Sequence, residues 1–222
     1  CGPAMTDALP ALNRSEFQQN SLFAEVWVKA TDEWQKRGSP VSPLSSPAQA
    51  IALMAYTMHE LYEEFNAAVH EAGSSRQEYR DNFHFKALHF LLTQALATLR
   101  VSQGQPCYCV FHGMRNVQFE VKPGATFRFG QFMATSLCKI ANVSEMDTVL
   151  TMEMCCGADI RNFSYYPGEK EVLIPPFETF SVTYVIPEGK VSRIHLNSTG
   201  THSNYNCEWL QGDIMGTTWG TG

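Results

Sequence analysis

The chain has 222 residues, 44% of them hydrophobic, enough to bury a large core as one generous domain or two small ones. A formal net charge of -6 lacks the basic footprint of a nucleic-acid binder, and no apolar run approaches the roughly 20 residues of a membrane span. Seven cysteines and the Asn-x-Ser/Thr sequons at Asn13, Asn142, Asn162 and Asn197 instead predict a secreted protein or one displayed on the extracellular surface. The start at Cys1 carries no signal peptide, as expected of a mature or trimmed soluble form, and a lipid anchor lost from the C-terminus is compatible with that setting.

In chain order, Ser15-x-x-Gln18 reads as a capping box. Leu22, Phe23, Val26, Trp27, Ala30 and Trp34 then recur at helical spacing up to Gly38, which predicts a first helix. After a Pro/Ser-rich linker, Ser46-Pro47 caps a second helix. Its stripe of Ile51, Met54, Met58, Leu61, Phe65 and Val69 runs to about Ala72, with Gly73 as its stop. Ser75-x-x-Glu78 opens a third helix, apolar at Tyr79, Phe83, Ala87, Phe90, Leu91 and Leu99. His84 and His89 lie five apart, which does not put two metal ligands on one helical face, so both read as structural.

From residue 105 the period changes to two. Strands are predicted at 107–111, 117–121, 125–129, 131–136, 148–155, 170–174, 178–186, 191–197 and 205–210, with Lys122-Pro123-Gly124 as a turn. Helices first and strands afterwards give an α+β fold. The expected organisation is a single domain over residues 1–210, helical over about 15–100 and β over about 105–210, followed by a flexible tail at 211–222.

One stretch invites chemistry. Pro167-Gly168 turns the chain into Glu169-Lys170-Glu171-Val172-Leu173-Ile174, and Pro175-Pro176 stops it. Alternation along a strand predicts that Glu169 and Glu171 project to one face and Lys170 to the other. Paired carboxylates push their proton affinities apart, so that one stays ionised while the other exchanges a proton. The plain alternative is a solvated strand entrance whose charges discourage edge pairing. The chain has no dinucleotide-binding glycine fingerprint, phosphate-binding loop or His-Glu-x-x-His. Cys107-x-Cys109 and Cys155-Cys156 lack zinc-ligand spacing, so no metal is expected.

The run Tyr166-Pro-Gly-Glu-Lys-Glu-Val-Leu-Ile-Pro-Pro-Phe-Glu178 closely resembles the catalytic Glu-x-Glu segment of the vertebrate arginine-specific mono-ADP-ribosyltransferases. Similarity extends to Asn20-Ser-Leu-Phe-Ala-Glu-Val-Trp27, His84-Phe-Lys-Ala-Leu-His-Phe-Leu-Leu-Thr-Gln-Ala-Leu96, Arg128-Phe-Gly-Gln-Phe132 and Ser203-Asn-Tyr-Asn-Cys207, and so to roughly residues 1–210. The resemblance implies N-terminal helices packed on a mixed, mainly antiparallel β core. It also implies an enzyme that moves ADP-ribose from NAD, its substrate, to an arginine-bearing acceptor protein. Glu171 matches the acid that grips the ribose and faces its developing positive charge, and Glu169 the acid that orients and deprotonates the acceptor guanidinium.

Two supporting positions depart from the family pattern. The family's arginine corresponds to His112 in Val110-Phe-His-Gly113; histidine can donate a hydrogen bond to the dinucleotide but lacks arginine's fork and permanent charge. The family's serine corresponds to Ala134 in Phe132-Met-Ala-Thr-Ser136, with Ser136 one step along the same face. His112, Gly113 and Ser136 are therefore the expected NAD contacts. The resemblance further implies disulfides Cys1–Cys207 and Cys107–Cys155, with Cys109, Cys138 and Cys156 left over. A catalytically impaired relative that binds a ligand or partner in the old cleft is the competing function.

Overall fold

The computed structural model describes residues 2–104, 106–115, 120–138, 146–188 and 191–201. The expected Cys1–Cys207 bridge, the Ser203 to Cys207 motif, the strand at 205–210, the tail at 211–222 and the sequon at Asn142 lie outside them. The described residues form two compact units divided between Ala95 and Leu96.

The first unit contains helices α1 (Gly2–Gln19), α2 (Ser21–Lys36), α3 (Pro47–Tyr56), α4 (His59–Ala72), α5 (Arg76–Asp81) and the start of α6 (Lys86–Gln103). The local signals at Ser46, Ser75 and Gly73 act as expected. Ser46 accepts from Gln49 N, Ser75 accepts from Glu78 N, and Gly73 closes α4. Each predicted helix is nonetheless interrupted or preceded by structure with no local signal. Ser15 is no cap, because it lies inside α1; Asn20 starts the next helix, its Oδ1 accepting from Phe23 N at 3.1 Å. Helix α1 hides behind an internal Pro10 and buries only Met5 and Leu12 among its apolar residues, so its periodicity is faint. The second predicted helix breaks at Thr57, whose Oγ1 donates back to Met54 O at 2.9 Å.

The third predicted helix is split by a residue from α1. Glu16, only 2% exposed, reaches across to the start of α6 and accepts from Lys86 N and Ala87 N, each at 2.8 Å. Two of the four amides that a helix start leaves without intrahelical partners are thus bound by a carboxylate 70 and 71 residues away. The Lys86 ammonium lies nearby and donates to Arg80 O and Phe83 O, covering carbonyls exposed where α5 ends.

The second unit is a mixed, mainly antiparallel sheet. Its strands are β1 (Tyr108–Met114), β2 (Thr126–Phe127), β3 (Met133–Leu137), β4 (Thr148–Met154), β5 (Ala158–Asp159), β6 (Glu171–Ile174), β7 (Glu178–Glu188) and β8 (Val191–Thr201). Their order is β2-β7-β8-β4-β1-β3-β6-β5, and β4–β8 is the parallel pair. Val110, Met152, Val172, Ile174, Val182 and Leu196 share a buried apolar cluster on one face. The described end of the predicted strand at 117–121, Glu120 and Val121, is not strand, and β5 was not signalled in the sequence. Cys107 is bonded to Cys155 and Cys109 to Cys138, leaving Cys156 as a thiol.

Burial raises the Glu16 pKa from 4.5 to about 6, although the two amides and Lys86 pull it down. The folded state therefore holds that proton more tightly than the unfolded chain. Stability from this group is full below pH 4.5 and is lost as pH rises through 6. The loss amounts to about 2 kcal/mol. Glu16→Gln cannot ionise, so its urea-unfolding free energy is expected to lose this part of the slope between pH 4.5 and 7 relative to the parent; parallel slopes would exclude Glu16 as the source.

Candidate active site

The two acids converge, but not by strand alternation. Pro167–Glu169 forms a 3-10 turn in which Glu169 N donates to Tyr166 O and Lys170 N to Pro167 O. Lys170 then adopts the left-handed conformation, with φ 50° and ψ 49°, and the strand begins only at Glu171. The expectation that Glu169 and Glu171 share a face of one strand is thus corrected. A left-handed residue reverses the chain between them, and the turn folds Glu169 back onto Glu171.

Behind Glu171 the strand is immobilised. Val172, Leu173 and Ile174 are all 0% exposed, and β6 is paired on both edges, with β3 and with β5. Glu171 is half-buried and its carboxyl is pushed up to about 8, first by burial and then by its hydrogen bond to Glu169 and that neighbour's charge. A hydrogen bond between two carboxyl groups needs a proton on one of them, so protonated Glu171 donates to the exposed Glu169 carboxylate.

Ser136 is the β3 residue directly opposite Glu171, while Ala134 stands opposite Leu173. Thr135 turns to the other face, where its Oγ1 donates to Val172 O at 2.7 Å. The register thus brings Ser136, not Ala134, beside the acid.

His112 is placed differently. Along β1 it follows Tyr108 and Val110, and Val110 pairs with Leu137, so alternation carries His112 to the side of Thr135 and Val172 rather than that of Ser136 and Glu171. Its Nδ1 lies 3.2 Å from Ala134 O, and a carbonyl only accepts, so Nδ1 carries the hydrogen. Burial holds the ring's pKa below the usual histidine value, which leaves a neutral ring whose Nε2 is an acceptor. The donor that the sequence reading reserved for the dinucleotide is therefore already used on β3. Gly113 stands opposite Val149, and a Cβ there would come within 2.7 Å of Met146 Cγ; its lack of a side chain makes room for methionine.

Other polar residues of this unit carry no sequence motif. Glu178, fully buried, accepts from Cys155 N at 2.7 Å and Cys156 N at 3.2 Å. Burial, then the Glu178 charge, pushes the Cys156 thiol to about 11, too high for a nucleophile at neutral pH. A cavity of about 640 Å³ is lined by Gln103, Tyr108, Leu137, Asp159, Arg161 and Asn162, together with the Cys109–Cys138 bridge. Tyr108 donates to Gln103 Oε1 at 2.7 Å, and Gln103 Nε2 to Asp159 O at 2.8 Å. Among the described residues no group of three or more His, Cys, Asp or Glu is arranged to hold a metal.

The turn makes a direct prediction. Lys170→Gly removes a left-handed penalty and should leave stability equal or up to about 1 kcal/mol higher, whereas a β-branched Lys170→Val should lose about 1–2 kcal/mol. Denaturant midpoints of the two variants check this, and equal midpoints would contradict the strained turn.

The geometry agrees with three comparisons. A family model described as NAD:arginine ADP-ribosyltransferase matches residues 1–204. The erythroblast NAD(P)(+)–arginine ADP-ribosyltransferase of Gallus gallus is 48% identical, over 95% of this chain and 71% of that protein. The GPI-linked NAD(P)(+)–arginine ADP-ribosyltransferase 1 of Homo sapiens is 44% identical, over 95% of this chain and 70% of that one. A crystal structure of the eukaryotic mono-ADP-ribosyltransferase ART2.2, a mutant in complex with NAD, superposes with a TM-score of 0.75 at 30% identity, covering 91% of this chain and 89% of its own. An α+β chain with paired acids at the head of a buried strand, matched over nearly its whole length, therefore belongs to the NAD:arginine ADP-ribosyltransferase family.

Proposed function

We propose that the protein is an extracellular mono-ADP-ribosyltransferase that moves ADP-ribose from NAD to protein arginine and releases nicotinamide. The observation that carries this reading is the half-buried Glu171 sharing a proton with Glu169 at the end of an immobile strand. Such an arrangement is costly as structure and useful as chemistry. Two disulfides among the described residues fit an oxidising, extracellular setting, and no described helix is long and apolar enough to cross a membrane.

In the proposed reaction the pyridinium of NAD approaches the acid pair, and its positive charge loosens the shared proton on Glu171, which passes to solvent water and not to Glu169. The bond from the ribose C1′ to the nicotinamide nitrogen breaks, and its electron pair leaves with neutral nicotinamide. Carboxylate Glu171 faces the positive charge that develops on the ribose. An arginine nitrogen bonds to C1′, and the proton it sheds passes to Glu169, which a guanidinium of very high pKa requires. Ser136, opposite Glu171 in the register, is proposed as the hydrogen-bonding group toward the ribose, while His112 lies on the other face of the strand and Gly113 makes room for Met146. None of these supplies the permanent cation that an arginine would offer to phosphate.

Incubation of the pure protein with labelled NAD and an arginine-rich acceptor tests the reading. Glu171→Gln should lose about 100-fold or more in transfer. Glu169→Gln should lose transfer to arginine while retaining nicotinamide release to water. No label above blank from the unaltered protein would remove the proposal and leave a binding protein. Because Glu171 acts as a carboxylate and its pKa is raised to about 8, kcat/KM for NAD should climb about tenfold per pH unit below 8 and level off above it. Glu169→Gln should shift that limb downward in the nicotinamide-release assay; a flat profile from pH 6 to 9 would contradict the assignment.

A further inference from the structure

We infer that Asn162 carries an N-linked oligosaccharide, and that this glycan stands beside the acid pair as a screen against bulky acceptors. The screening half rests on the proposed transferase activity; the attachment does not. Sequons occur at Asn13, Asn142, Asn162 and Asn197, and the structure separates the three that it describes. A glycosylated asparagine holds its whole side-chain amide clear of the protein and in solvent in the folded state. Asn13 lies within α1 with its amide oxygen buried. Asn197 lies within β8, opposite Glu153 of β4 and Ser181 of β7, and its amide oxygen is buried too. Asn162 is exposed, outside any long helix or strand, in the 3-10 turn Arg161–Phe163.

The turn that displays it is firmly held. Phe163 and Ser164 are buried, Ser164 Oγ accepts from Tyr166 N at 3.0 Å, and Arg161 N donates to Asp159 Oδ1 at 3.0 Å. Asn162 also lines the cavity of about 640 Å³ described above, so the first sugars have space bordered by the polar side chains of Asp159, Arg161 and Tyr108. Two residues before Asn162, Ile160 N donates to Glu171 O at 3.1 Å. At most about 7 Å of chain therefore separates the attachment point from a residue bonded to the catalytic strand. A branched sugar anchored there crowds a folded acceptor protein and leaves a small guanidine free to enter.

Attachment forms a bond between Asn162 Nδ2 and the anomeric carbon of a lipid-pyrophosphate-linked oligosaccharide. The carbon–oxygen bond to pyrophosphate breaks, the lipid pyrophosphate leaves with the electron pair, and one amide proton is released. Protein secreted from a eukaryotic host, treated with peptide N-glycosidase in heavy-oxygen water and mapped by mass spectrometry, should show labelled aspartate at 162 and none at 13 or 197. An unmodified Asn162 overturns the assignment. Glycosylated protein and Asn162→Gln are then compared on agmatine and on a folded arginine-rich protein. Expected rates on agmatine agree within about twofold, while the variant gains severalfold on the protein acceptor; an unchanged ratio overturns the screen. Absence of transfer to both acceptors overturns the screen together with the transferase reading, and the mass result still decides the attachment.

Discussion

The complete burial of Val172, Leu173 and Ile174 is the constraint on which the site depends. With both faces buried and a paired strand on each edge, β6 cannot shift without exposing its core, so the residue at its head is held wherever that packing leaves it. Glu171 occupies that head and cannot withdraw into solvent. The left-handed Lys170 then brings a second acid to it, so burial and like charge both act on one carboxyl group.

Three buried or half-buried glutamates make the contrast clear. Glu16 satisfies two amides at the start of α6, and Glu178 satisfies the amides of Cys155 and Cys156. Each offsets the cost of burying a carboxylate by satisfying backbone donors that would otherwise be stranded. Glu171 meets another acid instead. A fold selected only for stability would place a neutral side chain there, and this is the physical ground for reading Glu171 as functional and the other two as architectural.

The seam between β1 and β3 is the other element that bears on chemistry. Val110 pairs with Leu137 and Phe111 with Ser136, the Cys109–Cys138 bridge ties the strands beyond these pairs, and the His112 ring reaches Ala134 O. The His112 side chain thus becomes part of the strand joint.

Much of this protein was legible in its residues. The change of period near residue 105, the caps at Ser46 and Ser75 and the Tyr166 to Glu178 run predicted the α+β order and the family, because these signals act over a few residues or survive as near-verbatim motif. The tertiary structure alone decided the start of α6, the turn that folds Glu169 onto Glu171, the register that sets Ser136 opposite Glu171, and the hydrogen on His112 Nδ1. Each of these depends on a donor, an acceptor or a strand partner distant in the chain, or on a backbone angle that lysine rarely adopts. Composition and spacing carry no record of either.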